Sequence, residues 1–269
     1  MNNNFSHLIW IRGAGEIGSA VAVSLYSSGF NLILSEIDPP LAIRRSVTFS
    51  DAILDGSTNV KGIPANRMNV SDIHNFHDKS FIPIVHDNPE KIRFLNPKII
   101  IDARMIKSYT TDYSDWANLV IGYGPGFSTV KNCHVAIETA RGHNLGNLIY
   151  DGEPSKDTGV PGQLGGESKK RVLYSSYEGK LSWNCSFGDI VNEGEQIGNI
   201  HDSYPILAPL KGIVRGLINP RVHLKPGLKI ADIDPRGEGI DFYELSDKAR
   251  SLGRASLEAV LFYLKNQTY

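Results

Sequence analysis

Residues 7–18 read HLIWIRGAGEIG, and the architecture of the amino-terminal part follows from this run. Its first half, residues 7–12, is apolar and short, as in a buried parallel strand. Its second half, residues 13–18, satisfies the pattern G-x-G-x-x-G. Small and apolar residues continue over 19–28, and Gly29 is placed to end a helix there. The run therefore predicts a strand, a glycine turn and a helix.

The three glycines of the turn have separate physical roles. Gly13 permits the tight turn, Gly15 lets the backbone approach a phosphate, and Gly18 lets the helix pack against the strand. The helix presents N–H groups and the positive end of its dipole to an anion. A second apolar run ends at Glu36, 18 residues after Gly18, where a carboxylate accepts from a ribose hydroxyl. These four residues form the predicted cofactor site, although such a turn also occurs in folds that bind no dinucleotide.

Three further apolar runs predict more strands of a parallel sheet, which makes residues 1–130 a Rossmann-like nucleotide-binding-type domain. The runs are residues 81–85, 98–101 and 118–121. In such sheets the ligand lies beyond the carboxyl ends of the strands, so residues that follow the runs join the candidate site. These residues are Asp87, Asp102, Arg104, Gly124 and Gly126. Asp102 and Arg104 either pair with each other or contact the ligand.

Residues 131–170 are expected to form a helix and a glycine-rich connector. On a helix, His134, Glu138 and Arg141 would share one face, because they are four and three positions apart. Arg141 and His143 are added to the predicted cofactor site. No metal site is expected, since Cys133 and His134 would point apart on a helix and no fourth ligand is evident.

Two arginines follow the predicted acid of the second strand. Arg44 and Arg45 stand in the run PLAIRR, residues 40–45. The planar guanidinium of arginine binds phosphate well, which favours a place in the cofactor site. The alternative is an exposed pair at the start of a helix.

An internal repeat with an offset of 33 residues lies within residues 171–236, where apolar positions 191, 197 and 200 match positions 224, 230 and 233. Short strands of this kind bury their apolar face only by closing on a second copy. The rhythm resembles the barrel-sandwich of lipoyl and biotinyl carrier domains. No lysine occurs between Lys180 and Lys211, so neither biotin nor lipoate is expected as a cofactor. Residues 237–269 are expected to carry a helix, over 246–265, that packs on the core.

Composition narrows the class of protein. The 269 residues include 28 Lys plus Arg and 29 Asp plus Glu, a net charge of -1 that gives no reason to expect nucleic acid as a partner. Two cysteines exclude a disulfide scaffold. No run approaches the ~20 apolar residues of a membrane span, and the polar start, residues 1–6, is unlike a secretory signal. We expect a cytoplasmic protein without a membrane partner.

Several short blocks, in chain order, resemble one known family. They are residues 12–15, Glu36 with residues 40–45, residues 124–127, residues 138–139 with 141–143, and residues 158–159 with 161–162. The chain resembles the accessory proteins of selenium-dependent molybdenum hydroxylases, a family distantly similar to xanthine dehydrogenase accessory factors. The blocks AIRR and RGH are the most distinctive parts of the match.

The resemblance implies maturation of, or cofactor insertion into, a molybdenum hydroxylase, with that apoprotein as partner. The implied ligand is a small phosphate-bearing molecule, either a nucleotide similar to NAD(P) or molybdopterin. Arg44, Arg45, Arg104 and Arg141 would hold its anionic groups. Whether any reaction is catalysed stays open, and a homo-oligomer is compatible with the sequence. The alternatives are an NAD(P)-dependent oxidoreductase and a non-catalytic interaction scaffold.

Overall fold

The computed structural model describes residues 7–76, 78–109, 111–160, 162–237 and 239–266, so the polar start and Pro161 lie outside the described residues. The chain divides into two compact units. The first contains the described residues up to Asp38, Thr48–Thr158 and the residues from Leu245 onward; the second contains Pro39–Val47 and Gly159–Glu244. These boundaries differ from the expected ones at residues 130, 170 and 236, because two separate segments build the second unit. No helix among the described residues is long and apolar enough to cross a membrane.

A nine-stranded sheet organises the first unit. Its strands are β1 (Ile9–Arg12), β2 (Leu32–Glu36), β3 (Ser57–Val60), β4 (Ile63–Arg67), β5 (Ile82–His86), β6 (Ile99–Asp102), β7 (Leu119–Tyr123), β8 (Val135–Ile137) and β9 (Leu148–Ile149). Their spatial order is β3-β4-β5-β2-β1-β6-β7-β8-β9. The strands from β4 to β8 are parallel, whereas β3 and β9 pair antiparallel at the two edges. Strands β1, β6 and β7 are buried along their whole length, which explains their apolar runs.

Two helices of the first unit lie side by side. The helices of this unit are α1 (Glu16–Ser27), α2 (Ala52–Asp55), α3 (Pro89–Arg93) and α4 (Asp247–Asn266). The backbone N–H of Ser246 donates to the Glu16 carboxylate at 3.0 Å, and further along the helices Gly253 lies against Ala20. Helices α1 and α4 therefore run in the same direction, with their amino ends together. A Cβ at Gly253 would come within 2.6 Å of the Ala20 carbonyl oxygen, so glycine permits this close packing.

Two separate antiparallel sheets build the second unit. Its strands are β10 (Val172–Tyr174), β11 (Leu181–Trp183), β12 (Ile190–Val191), β13 (Gln196–Ile200), β14 (Tyr204–Leu207), β15 (Gly212–Leu217) and β16 (Lys229–Asp234). One sheet has the order β10-β16-β15-β12 and the other the order β11-β13-β14. The 33-residue offset relates one strand pair in each sheet, because Leu181 lies opposite Ile200 and Val214 lies opposite Ile233.

The expected fold class was wrong. The large sheet is mixed, since strands β3 and β9 add antiparallel edges to a parallel core. The second unit does not support a lipoyl- or biotinyl-type barrel-sandwich. Its sheets have four and three strands rather than two equal halves, and the unit also includes Pro39–Val47.

The helix expected after residue 131 was also wrong. Val135–Ile137 forms the buried strand β8, which pairs with β7, and His143 lies in an exposed turn beyond it. His134, Glu138 and Arg141 therefore do not share a helix face. The Nδ1 atom of His134 accepts the backbone N–H of Val120 at 2.9 Å, so this histidine secures the start of the strand pair.

Candidate functional site

The glycine turn between β1 and α1 lies at the carboxyl edge of the parallel strands. Gly13 has φ +93°, a value that residues with a side chain rarely adopt. A Cβ at Gly18 would collide with the Gly13 carbonyl oxygen, so helix α1 starts in direct contact with the turn. Backbone conformation therefore explains the glycine at position 13, and packing within the chain explains the one at position 18.

Gly15 is different from its two neighbours in the motif. Its φ of -67° suits any residue, and a Cβ built on it has no atom of the described chain within 4 Å, its two chain neighbours aside. It is also the N-cap of α1, but it supplies no side-chain hydrogen bond to the helix. Among the glycines whose surroundings the structure describes, Gly15 alone combines an ordinary backbone with open space. Neither backbone conformation nor internal packing accounts for a glycine at this position.

The Glu36 carboxylate is tied to the same turn. One oxygen accepts the backbone N–H of Ala14 at 2.7 Å, and the other accepts that of Ile37 at 2.9 Å. Burial raises the pKa of Glu36, and these two amide donors only partly offset the rise. A carboxylate has about four lone-pair sites, so two remain for a donor on a ligand. Carboxyl groups with a pKa raised by burial are frequent in functional sites.

Two bidentate arginine–carboxylate pairs occupy the ends of neighbouring strands. The Arg104 guanidinium donates to Asp102, with its shortest contact at 2.6 Å, and the Asp102 side chain is buried. Arg12 donates to Asp87, with its shortest contact at 2.8 Å. Both arginine charges are therefore compensated by carboxylates of the chain.

A polar network that extends from Arg12 escaped the sequence analysis. Its guanidinium also donates to the Tyr113 hydroxyl at 2.6 Å, and Ser35 donates to the Asp87 carboxylate at 2.7 Å. Trp10 in turn donates to the Ser35 hydroxyl. Burial alone would lower the pKa of Arg12, but the hydrogen bond and charge of Asp87 outweigh it and raise the pKa. The only available signal was an arginine at the end of an apolar strand, which does not identify its partners.

In the second glycine-rich loop, other atoms of the chain occupy the space beside the glycines. A Cβ at Gly126 would come within 2.7 Å of the Ser108 carbonyl oxygen and of the Ile106 side chain. Gly124 has φ +83°, and the Thr139 hydroxyl lies 3.4 Å from its Cβ position. Gly124 and Gly126 are thus explained by local conformation and packing.

The residues after β8 bind one another. The Glu138 carboxylate accepts the backbone N–H groups of Thr139, Ala140 and Ser155 at 2.6 to 2.7 Å. Burial alone would raise the pKa of Glu138, but these hydrogen bonds outweigh it and lower the pKa. Arg141 forms an exposed bidentate pair with Asp247, whose pKa the hydrogen bond lowers to about 2.

The other predicted arginines belong to the second unit. Arg44 is buried and donates to the Glu244 carbonyl oxygen at 3.0 Å. The Arg45 guanidinium lies 5.7 Å from the centre of the Phe187 ring. Each has a structural role within its own unit, and a role toward a ligand stays a prediction.

The described metal-ligating and nucleophilic side chains do not indicate a metal site or a catalytic cysteine outside the glycine turn. The described residues contain no group of three or more His, Cys, Asp and Glu that could hold a metal ion. Cys133 is buried, and burial raises the pKa of its thiol to about 12. A thiol in this state is a poor nucleophile at neutral pH, because the thiolate is the reactive form.

Comparison with known proteins gives one extended sequence match. No protein-family model matches the chain. A protein of Escherichia coli (strain K12), described as "Uncharacterized protein YqeB", is 41% identical over 259 residues, which make up 96% of this chain and 48% of that protein. The present chain therefore spans about half the length of this curated relative.

Three solved structures overlap weakly with this chain. The Ectoine utilization protein EutE from Ruegeria pomeroyi shares 9% identity, covering 84% of this chain and 85% of that chain with a TM-score of 0.25. An aspartoacylase family protein from Mesorhizobium loti shares 12% identity, covering 85% of each chain with a TM-score of 0.26. A succinylglutamatedesuccinylase/aspartoacylase from Rhodobacter sphaeroides shares 12% identity, covering 84% of each chain with a TM-score of 0.27. Overlaps this weak carry neither a fold nor an activity over to the present chain.

The resemblance to accessory proteins of molybdenum hydroxylases was wrong. The comparisons lead instead to an E. coli protein described as uncharacterized, to an ectoine utilization protein and to two aspartoacylase-family structures. Three predictions that followed from this resemblance were therefore wrong as well: the maturation role, the hydroxylase apoprotein as partner and molybdopterin as ligand. The alternative prediction, an NAD(P)-dependent oxidoreductase, was also wrong.

Proposed function

We propose that the first unit is a nucleotide-binding module, with the phosphate of the ligand at the turn formed by residues 13–18. The observation that carries the proposal is the open space at Gly15. A serine at this N-cap would satisfy a free amide of α1 and stabilise the helix. The chain instead has a residue without a side chain, which leaves room for a ligand next to the backbone.

The surroundings of Gly15 suit a phosphate-bearing ligand. The first N–H groups of an α-helix have no partner within the helix, and they carry the positive end of its dipole. These properties make the start of α1 a favourable place for an anion. Glu36, held against Ala14, supplies an acceptor for a ribose hydroxyl at the end of β2. Phosphate and ribose together favour a nucleotide over inorganic phosphate.

Calorimetric titration with AMP, ADP, ATP, NAD⁺ and NADP⁺ tests the proposal. We expect at least one of these nucleotides to bind the wild-type protein. The variant Gly15→Trp should lose that binding because the indole fills the open space, while its melting temperature stays close to that of the wild type. The matched control is Ser27→Trp, which places the same side chain on an exposed residue at the other end of α1.

Two results would contradict the proposal. One is the absence of binding by every nucleotide in the panel. The other is equal affinity of the wild type and Gly15→Trp, which would show that the ligand binds elsewhere on the protein. Loss of binding in Ser27→Trp as well would attribute the effect to a change in α1 rather than to the filled space.

A further inference from the structure

A cleft on the first unit gathers positive charge away from the glycine turn. Its volume is about 570 Å³, within the range of about 300 to 1,000 Å³ that is typical of small-molecule sites. Four of the residues that line it are basic, namely Arg67, His74, His86 and Lys91. Its described lining contains neither Asp nor Glu. The cleft therefore offers a ligand cationic and N–H donor groups without a carboxylate among them.

The cleft begins at the carboxyl ends of two parallel strands. Arg67 is the last residue of β4, and His86 is the last residue of β5. Ligands of such sheets lie beyond the carboxyl ends of the strands. Strand β2 separates β5 from β1, so this cleft and the glycine turn occupy different positions along the same edge of the sheet.

The cations of the cleft are not compensated as the arginines beside the glycine turn are. In the described part of the chain, the side chains of His86 and Lys91 form no ion pair or hydrogen bond. The Arg67 guanidinium donates to a neutral acceptor, the carbonyl oxygen of Ile53, at 2.7 Å. Its other N–H groups stay available, because a guanidinium carries five.

Three carboxylates adjoin the cleft in the sequence without lining it. Asp87 is bound by Arg12 at 2.8 Å, and Asp72 accepts the side-chain amide of Asn69 at 3.2 Å. Glu90 is exposed and forms no ion pair with a described residue. These acids therefore leave the basic groups of the cleft free to bind an anion.

Part of the lining is apolar and faces solvent. Phe94 is 81% exposed, and Met68 and Val70 line the same cleft. An exposed phenylalanine offers its ring to another aromatic ring, and such a contact stabilises a complex beyond the area that it buries. A ligand with both an aromatic ring and a negative charge would use both parts of the lining.

We propose that this cleft binds an aromatic organic anion, with its charged group on Arg67 and Lys91 and its ring against Phe94. The inference does not depend on the proposed nucleotide site. Guanidinium and ammonium groups bind carboxylate and phosphate oxygens alike, so aryl carboxylates and aryl phosphates belong to the same ligand class. Because both cations are exposed to water, each should contribute modestly to affinity.

The experiment measures the binding of anilinonaphthalene sulfonate, a fluorescent aromatic anion, to the full chain. Lys91→Met removes the charge and Phe94→Ala removes the ring, and each should weaken binding about threefold. Together they should weaken it about tenfold, whereas Lys91→Arg should bind nearly as well as the wild type. Both positions are exposed, so the fold should be unaffected. The matched control, Lys225→Met, removes an exposed lysine of the second unit and should leave the affinity unchanged.

Competition tests whether the charge of the ligand matters. Phenyl phosphate and benzoate should displace the fluorescent anion, whereas the neutral benzyl alcohol should not. Displacement by neither anion, or equally by the alcohol, would overturn the inference. Equal affinity of the wild type and the double variant would overturn it too, because the anion would then bind elsewhere.

The variant Gly15→Trp separates this inference from the proposed function. It should bind anilinonaphthalene sulfonate as tightly as the wild type, because the cleft does not include the glycine turn. Loss of that binding would assign the anion to the turn and overturn the inference. Failure of every nucleotide to bind would contradict the proposed function and leave the cleft as an anion site.

Discussion

Two glycine-rich turns lie at the same edge of the large sheet, and they use glycine for different reasons. In the segment over residues 122–126, which comprises the end of β7 and the turn after it, a Cβ at Gly122 would collide with the ring of Phe127. In the turn over residues 13–18, a Cβ built on Gly15 has no atom of the described residues within 4 Å apart from those of its two chain neighbours. The first pattern is explained by packing, whereas the second points to something outside the chain. Glycine content alone therefore does not mark a ligand site.

The largest effect on stability is expected from Gly122→Ala. The new methyl group must displace Phe127, a fully buried side chain whose Cβ lies 2.8 Å from the added atom. Overpacking of this kind should lower the free energy of unfolding by about 2 kcal/mol, measured by urea denaturation. Combining it with Phe127→Leu should give a loss smaller than the sum of the two single losses. Unchanged stability of Gly122→Ala would remove the contrast between the two turns.

A smaller effect, dependent on pH, is expected from Glu36→Gln. Burial raises the pKa of Glu36 in the folded protein, so the folded state binds more protons than the unfolded state above the ordinary glutamate pKa. The contribution of Glu36 to the stability of the wild type is most favourable below the ordinary glutamate pKa. It is lost as the pH rises through the raised pKa of the folded state. Glutamine does not ionise, so the variant should lack this fall in stability.

Unfolding curves for both proteins between about pH 4 and 8 test this prediction. A wild-type stability that does not fall relative to Glu36→Gln across this range would show that Glu36 is not desolvated at the turn. The alternative outcome, a wild type that gains stability with pH relative to the variant, would mean that the amides of Ala14 and Ile37 dominate over burial.

The smallest effect on stability is expected from Gly15→Ser. Serine at an N-cap accepts a hydrogen bond from the first turn of the helix, and the gain over glycine is only a few tenths of a kcal/mol. The same variant should bind the nucleotide more weakly, because the side chain enters the open space and takes an amide that the ligand would use. Thermal unfolding and calorimetric titration of one sample measure both effects. A serine variant with undiminished affinity would place the ligand away from Gly15.

Part of the candidate site could be predicted from the sequence, because the conformation of that part depends on residues close together in the chain. The spacing of Gly13, Gly15 and Gly18 between an apolar run and a small-residue run predicts the turn, and the acid at the end of the next run predicts Glu36. The same use of residue spacing gave a wrong prediction for residues 134–141, where a helix was expected. A spacing of four and three fits a helix, but Val135–Ile137 is a strand because it completes the buried edge of the parallel core.

Local patterns in the amino-acid sequence specify the elements near the amino end and the two related strand pairs of the second unit, because these arise from contacts between residues close in the chain. The long-range arrangement has a different origin. Glu16 and Ser246 are 230 positions apart, and their contact exists because Gly253 lets α4 pack closely against α1. The contrast between an open glycine and a filled one has the same long-range origin, because it depends on which atoms from other parts of the chain lie beside each glycine.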